Sequence, residues 1–169
     1  MSRRRDVRLL GALITVSLVA LGGAGLALVP GGPVEADPAT EARVRAVDES
    51  FRQGVEGLKA GRHAEALAAF HRVLLDSPAM PEAHANMGFA LLGLGRPREA
   101  LAFFEGALDL RPAQLNAYWG LAVASEALGD LETARGAMKT YAHLAPAGDP
   151  YRRRAEAAIW EWSERSRTP

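Results

Sequence analysis

The chain has no cysteine. That excludes disulfides, thiolate metal sites, thiol catalysis and lipid attachment to an N-terminal cysteine. Its absence suits an oxidising compartment as well as any other. Val, Ile, Thr and aromatic residues are thin after residue 30, so a large sheet is not expected. Charge of one sign is also lacking, with 20 basic and 20 acidic side chains. The balance is uneven along the chain: residues 1–8 set four Arg (Arg3, Arg4, Arg5, Arg8) against Asp6, so the remainder carries a small negative excess. A mildly acidic body argues against a nucleic-acid groove. What the chain has in abundance is Ala, Leu, Glu and Arg, all good helix formers. Composition therefore points to an all-α protein.

From Leu9 to Val29 no residue is charged. At about 1.5 Å per residue a helix of that length spans roughly 30 Å, the hydrocarbon thickness of a bilayer. The basic cluster precedes it, and the first charges after it are Glu35 and Asp37. The expected organisation is a basic cytoplasmic flank (1–8), a transmembrane signal anchor (9–29), a linker (30–37) and a domain (38–169). The domain then lies across the inner (plasma) membrane, on the periplasmic or extracytoplasmic side. Signal-peptide apolar cores are usually shorter, which favours an uncleaved anchor. The alternative is cleavage near Ala36 and release to the periplasm: Gly22, Gly23 and Gly25 weaken the end of the segment, and Val34-Glu35-Ala36 offers small residues. Ser2-Arg3-Arg4 is followed by Arg5 and Asp6, not by apolar residues, and reads as ordinary basic flank. Pro30-Gly31-Gly32-Pro33 interrupts any helix. Asp37-Pro38 predicts a new start, an N-cap acceptor before proline at the first helical position.

Beyond residue 40 one period governs the chain. Pro78, Pro112 and Pro146 recur every 34 residues, as do Gly61, Gly95 and Gly129, and Ala66, Ala100 and Ala134. Three residue classes sharing one interval define an internal repeat. Gly54, Gly88 and Ala122 place small residues in the first helix of each unit, and the three alanines do so in the second, so that two antiparallel helices can approach. Phe70, Phe104 and Met138 lie four residues after those alanines, on the same helical face. The glycines are expected to close the first helix in a left-handed conformation, and the prolines to stop the second. Helices are predicted near 38–60, 63–76, 81–94, 97–110, 115–128, 131–144 and 150–166. The last carries the stripe Ala155, Ala158, Ile159, Trp162 at helical spacing, with Arg152, Arg153, Glu156, Glu161 and Glu164 outward. It suits a capping helix over the open end of a stack.

The pattern resembles the tetratricopeptide repeat, a helix–turn–helix unit of 34 residues. Residues 81–114 match best, with Met87-Gly88, Leu91, Gly95, Ala100, Phe104, Ala107 and Pro112 at the signature places. Residues 47–80 keep Gly54, Gly61, Ala66, Phe70 and Pro78, but depart at Gln53 and Gly57, where the family prefers large apolar residues. Residues 115–148 keep Tyr118, Leu121, Ala122, Gly129, Ala134 and Pro146, and hold Met138 in place of the usual aromatic. The resemblance implies a right-handed helical-hairpin solenoid of about three repeats plus the capping helix 150–166.

It also implies that the first helix of each repeat lines a concave groove. By repeat position the peptide-binding candidates are Phe51, Arg52 and Val55; Asn86 and Phe89; Asn116, Trp119 and Val123. Asp48, Leu58, Lys59, Glu82, Ala85, Leu92 and Glu126 lie on the same faces, and Trp160 of the cap is a candidate for closing one end. So many apolar side chains on one exposed face would mark an interaction site, and aromatics are favoured anchors. Burying one would stabilise a complex by roughly 1.5–3 kcal/mol. Asn86 and Asn116 would bond the backbone of a bound peptide. The alternative is that, with only three repeats, some of these side chains pack inward or are covered by the long first helix. The family's carboxylate clamp, which holds a C-terminal tail through lysines, an arginine and asparagines, is not expected. Phe51, Val55 and Gly120 occupy three of its positions, and only Asn86 matches.

No catalytic residue, cofactor or metal ligand set emerges. His63, His71, His84 and His143 form no metal-like pair and read as surface or turn residues. Gly93-Leu94-Gly95 closes a helix and is not a phosphate loop. Arg152-Arg153-Arg154 reads as a solvated face, with contact to anionic headgroups the minor alternative. The expectation is a non-enzymatic, membrane-tethered interaction module or scaffold whose partner is a protein or peptide client. Two other expectations stand beside it. One is an accessory assembly factor such as those of cytochrome c maturation, which the resemblance implies; the other is a structural repeat protein that self-associates as a homo-oligomer.

Overall fold

The computed structural model describes residues 37–167, and these are all-helical: α1 (Pro38–Lys59), α2 (His63–Asp76), α3 (Pro81–Gly93), α4 (Pro97–Leu110), α5 (Leu115–Ala127), α6 (Leu131–Leu144) and α7 (Arg152–Arg165). Among the described residues no helix is long and apolar enough to cross a membrane. The expected span 9–29, its basic flank and most of the linker lie outside them.

The helix boundaries follow from local chemistry. The Asp37 carboxylate accepts from the Ala39 N–H and Pro38 takes the first turn, which satisfies one of the unpaired amides at a helix start. The ends of α1, α3 and α5 are built alike. Gly61, Gly95 and Gly129 have φ of 70°, 70° and 82°, a conformation that costs glycine little. With them the chain folds back so that the Arg62, Arg96 and Asp130 N–H groups reach the carbonyls of Gly57, Leu91 and Ser125 at 2.8–2.9 Å, the long bond of a Schellman motif. Pro78, Pro112 and Pro146 stand two residues past the ends of α2, α4 and α6, where the residue before each proline is held out of the helical region.

Each helix packs on the next, and α3 also touches α1 and α5, which is the stacking of two-helix hairpins into a solenoid. The fully buried alanines Ala66, Ala100 and Ala134 sit at the hairpin contacts. Their smallness is matched across each hairpin. A Cβ on Gly54 would lie 2.6 Å from the Phe70 ring, and one on Gly88 would lie 2.7 Å from Phe104. The third hairpin has Ala122 at that position, opposite Met138. A flexible thioether tolerates the extra methyl that a flat ring excludes, so the third repeat's departure is two linked substitutions.

Successive repeats are also joined by polar links. The His84 Nε2 lies 2.8 Å from the Pro78 carbonyl, to which it donates, and the Tyr118 hydroxyl donates to the Pro112 carbonyl at 3.1 Å. The two donors are 34 residues apart, and so are their two acceptors. His84 is therefore half-buried, and so is His63, whose ring packs where a Cβ on Gly93 would stand. Both were expected at the surface or in turns. Facing the neighbouring repeat buries them.

Candidate functional site

A hollow opens at the C-terminal half of the stack. There Phe89 of α3, Leu115, Asn116 and Trp119 of α5, Tyr141 of α6, and Asp149 and Tyr151 of the α6–α7 connector enclose about 390 Å³. Phe89 and Trp119 are half-buried. Their rings are braced from behind: Phe89 stands edge-on to Phe104 with centroids 5.1 Å apart, and Trp119 edge-on to Tyr141 at 5.3 Å. Edge-to-face pairs of this kind hold rings in one orientation, so the hollow is walled by fixed aromatic surfaces.

Asp149 organises its rim. One of its oxygens accepts from the Tyr141 hydroxyl at 2.9 Å and from the Tyr151 N–H at 2.8 Å. Tyr151 is thereby brought edge-on to Trp119, 5.9 Å between centroids. Burial, and after it the hydrogen bond donated to Asp149, pushes the Tyr141 phenol up to about 12. It stays protonated, as its role of donor to a carboxylate requires.

Of the groove residues expected from the repeat pattern, the structure brings Phe89, Asn116 and Trp119 together around this hollow. Asn116 accepts from the Gln114 amide at 2.8 Å, which leaves its own N–H groups free to donate. Phe51 and Val55 pack at the other end, against the core around Ala66 and Phe70, with Phe51 edge-on to Phe70 at 5.6 Å. Asn86 and Val123 are half-buried and do not line the hollow. Arg52 is elsewhere: it pairs with Glu49 and lines a separate charged cleft between α1 and α2, with Gln53, Glu56, Arg62, Glu65 and Arg72. It is one residue on from Phe51, and a helix turns each successive side chain by about 100°. Glu126, placed on the groove face by repeat position, is taken up by the cap. It accepts from the Trp162 indole N–H at 2.6 Å and pairs with Arg165 at 2.7 Å. Trp160 closes nothing and is 69% exposed.

Leu115, Tyr141, Asp149 and Tyr151 were not anticipated. Tyr141 is on a second helix, and Asp149 and Tyr151 are on a connector, whereas repeat-position reasoning considers first-helix faces alone. The available signal was an aspartate two residues before an aromatic, just after a glycine.

The tetratricopeptide repeat family model matches residues 57–103 and 91–159, more than half of the chain. The chain belongs to the tetratricopeptide repeat family. A rat protein described as FK506-binding protein-like is 34% identical over 99 residues, a match that takes in 54% of this chain and 28% of that relative. The TPR2B domain of yeast Sti1 in complex with pHsp70 superposes with a TM-score of 0.67 at 19% identity, covering 72% of this chain and 98% of that one. PcrH in complex with the chaperone-binding region of PopD superposes with a TM-score of 0.69 at 18% identity, covering 73% and 95%. At these identities the likeness is one of fold. The groove of this tetratricopeptide repeat domain has chemistry of its own. At Gly120, where the carboxylate clamp would need an arginine, a Cβ would collide with the Phe104 ring. Among the described residues no cluster of three or more His, Asp or Glu could hold a metal.

Proposed function

We propose that this chain is a binding module that holds a peptide, or a segment of a partner subunit, in the groove along α1, α3 and α5, and carries out no reaction of its own. The observation behind this reading is the half-buried pair Phe89 and Trp119, braced edge-on around an open hollow of about 390 Å³. A hollow with apolar walls and a few fixed polar groups is the usual form of a recognition site. The two solved structures described above are complexes with protein partners, which supports the reading.

Tethering to a membrane belongs to the same proposal. Its support is the uncharged run 9–29 behind Arg3, Arg4, Arg5 and Arg8, which by the charge rule leaves the repeats on the far side from the N-terminus. The full chain should then stay with membranes through an alkaline wash, and external protease should reach the repeats once the outer barrier is opened. Recovery of a soluble chain beginning near residue 37 would favour the cleaved form.

The groove itself is tested by photocrosslinking in native membranes from a probe residue at Asn116, compared with one at the exposed Lys139 of α6. Adducts specific to position 116 that vanish in Phe89→Ala/Trp119→Ala, with helix content unchanged, are expected. Adducts equal from both positions, or unaffected by the double substitution, would overturn it.

A further inference from the structure

Resting on the groove reading, a more specific inference concerns what the C-terminal end of the groove selects. Trp119 is steeply inclined to both Tyr141 (72°) and Tyr151 (67°), so these rings form adjoining walls in place of a stack. Faces of aromatic rings carry partial negative charge and attract cations within about 6 Å of the centroid. The Tyr151 ring already behaves so within the chain: the Arg154 guanidinium lies 5.8 Å from its centroid. Arg154 does not line the hollow.

Asp149 adds a full charge to these walls. Both hydrogen bonds it accepts fall on Oδ1. Its other oxygen has no partner among the described residues, and no basic side chain pairs with it. The nearest basic residue along the chain, Arg152, is instead turned to Glu156 at 3.6 Å. A purely apolar occupant would cover a carboxylate without neutralising it, which is costly. A cation would be complementary both to the ring faces and to the free oxygen.

We propose that this hollow is a subsite for a cationic side chain, a lysine or arginine of the bound peptide, seated against the Trp119 ring and paired with Asp149. Selection of peptides from a random displayed library on the purified full chain tests it, followed by affinity measurements on the selected sequences. The expected result is enrichment of lysine or arginine at one position. Replacing that residue by norleucine should weaken binding at least tenfold, and Asp149→Asn should weaken it at least fivefold and abolish the difference between lysine and norleucine. Asparagine keeps an acceptor for Tyr141 and Tyr151, and the norleucine exchange leaves the protein untouched, so a misfolded variant cannot mimic the result. Peptides that bind in a Trp119-dependent way without basic enrichment, and equally well with norleucine, overturn the cation subsite and leave the groove reading standing. Selected peptides indifferent to both Trp119→Ala and Phe89→Ala overturn the groove reading and the subsite with it.

Discussion

At the end of the stack formed by α1 and α2, the described residues present a polar outer face. Gln53 receives a hydrogen bond from Arg72 at 3.0 Å and donates one to Glu49 at 2.9 Å, and the cleft beside them holds Glu56, Arg62 and Glu65. In the second repeat the same position is Met87, which packs on Phe70 of the repeat before it. Gln53 has no such neighbour among the described residues, and an amide there meets water where a thioether would be left bare. The other end keeps its large apolar residues and covers them. Helix α7 lays Ala155 and Trp162 on Met138 and Tyr141, and Glu126 pins it through Trp162 and Arg165. A solenoid can thus finish by changing residues in place or by adding an element. Only the second way supplies new side chains, and here the connector that delivers the cap also delivers Asp149 and Tyr151 to the hollow.

Substitutions at the two ends of the stack should differ most in their effect on stability. Trp162 is 3% exposed, and Trp162→Ala should cost about 3–5 kcal/mol in urea unfolding of the full chain. Gln53→Ala at the polar end should stay within about 0.5 kcal/mol. Equal losses would mean that the ends are not closed differently. Next in size is the second hairpin against the third. Gly88→Ala should cost about 1–3 kcal/mol by crowding Phe104, and the double change Gly88→Ala/Phe104→Met, which copies Ala122 and Met138, should cost less than the two single losses summed. Simple additivity in that cycle would show that the two positions are not coupled.

Smaller effects sharpen the role of the cap. Glu126→Ala leaves the Trp162 indole N–H without its acceptor, a loss of about 1–3 kcal/mol. Glu126→Gln keeps an acceptor and removes only the pairing with Arg165, about 0.5–1 kcal/mol. Should the two variants unfold at the same urea concentration, the indole bond contributes nothing. The smallest effect is on pH dependence. Asp130 caps α6, and hydrogen bonds from Thr133 hold its carboxyl below the ordinary value of 3.8. A depressed carboxyl stabilises the fold above its unfolded-state value, and that stability is lost as pH falls through the folded one. Asp130→Asn should therefore reduce the acid-side fall in unfolding midpoint slightly and leave the slope near neutrality unchanged.

The repeat period made the helices readable because each boundary rests on local chemistry: glycine at a positive φ, proline two residues past a helix end, aspartate before a first turn. Phe89 and Trp119 were readable as groove candidates for the same reason, since a first-helix face follows from the period. Glu126 was misplaced on that face because its partners, Trp162 and Arg165, come from the cap, which no period encodes, and Arg52 because, one residue on from Phe51, it turns about 100° away and pairs with Glu49. The aromatic and acidic groups that complete the hollow do not follow from the first-helix period, because Tyr141 comes from α6 and Asp149 and Tyr151 from the connector to α7.

The one-dimensional pattern determined the unit, its length, its turns and the small residues that let helices touch, because these depend on contacts within about one repeat. It also supplied the uncharged N-terminal run on which tethering is proposed. Only the folded stack decided which side chains remain open. Met87 is buried and Gln53 is not because one has a repeat beside it, and Asp149 shares a hollow with Trp119 because the connector leading to α7 sets Tyr151 against the Trp119 ring. Burial of that kind belongs to no residue alone. It is set by what packs against it.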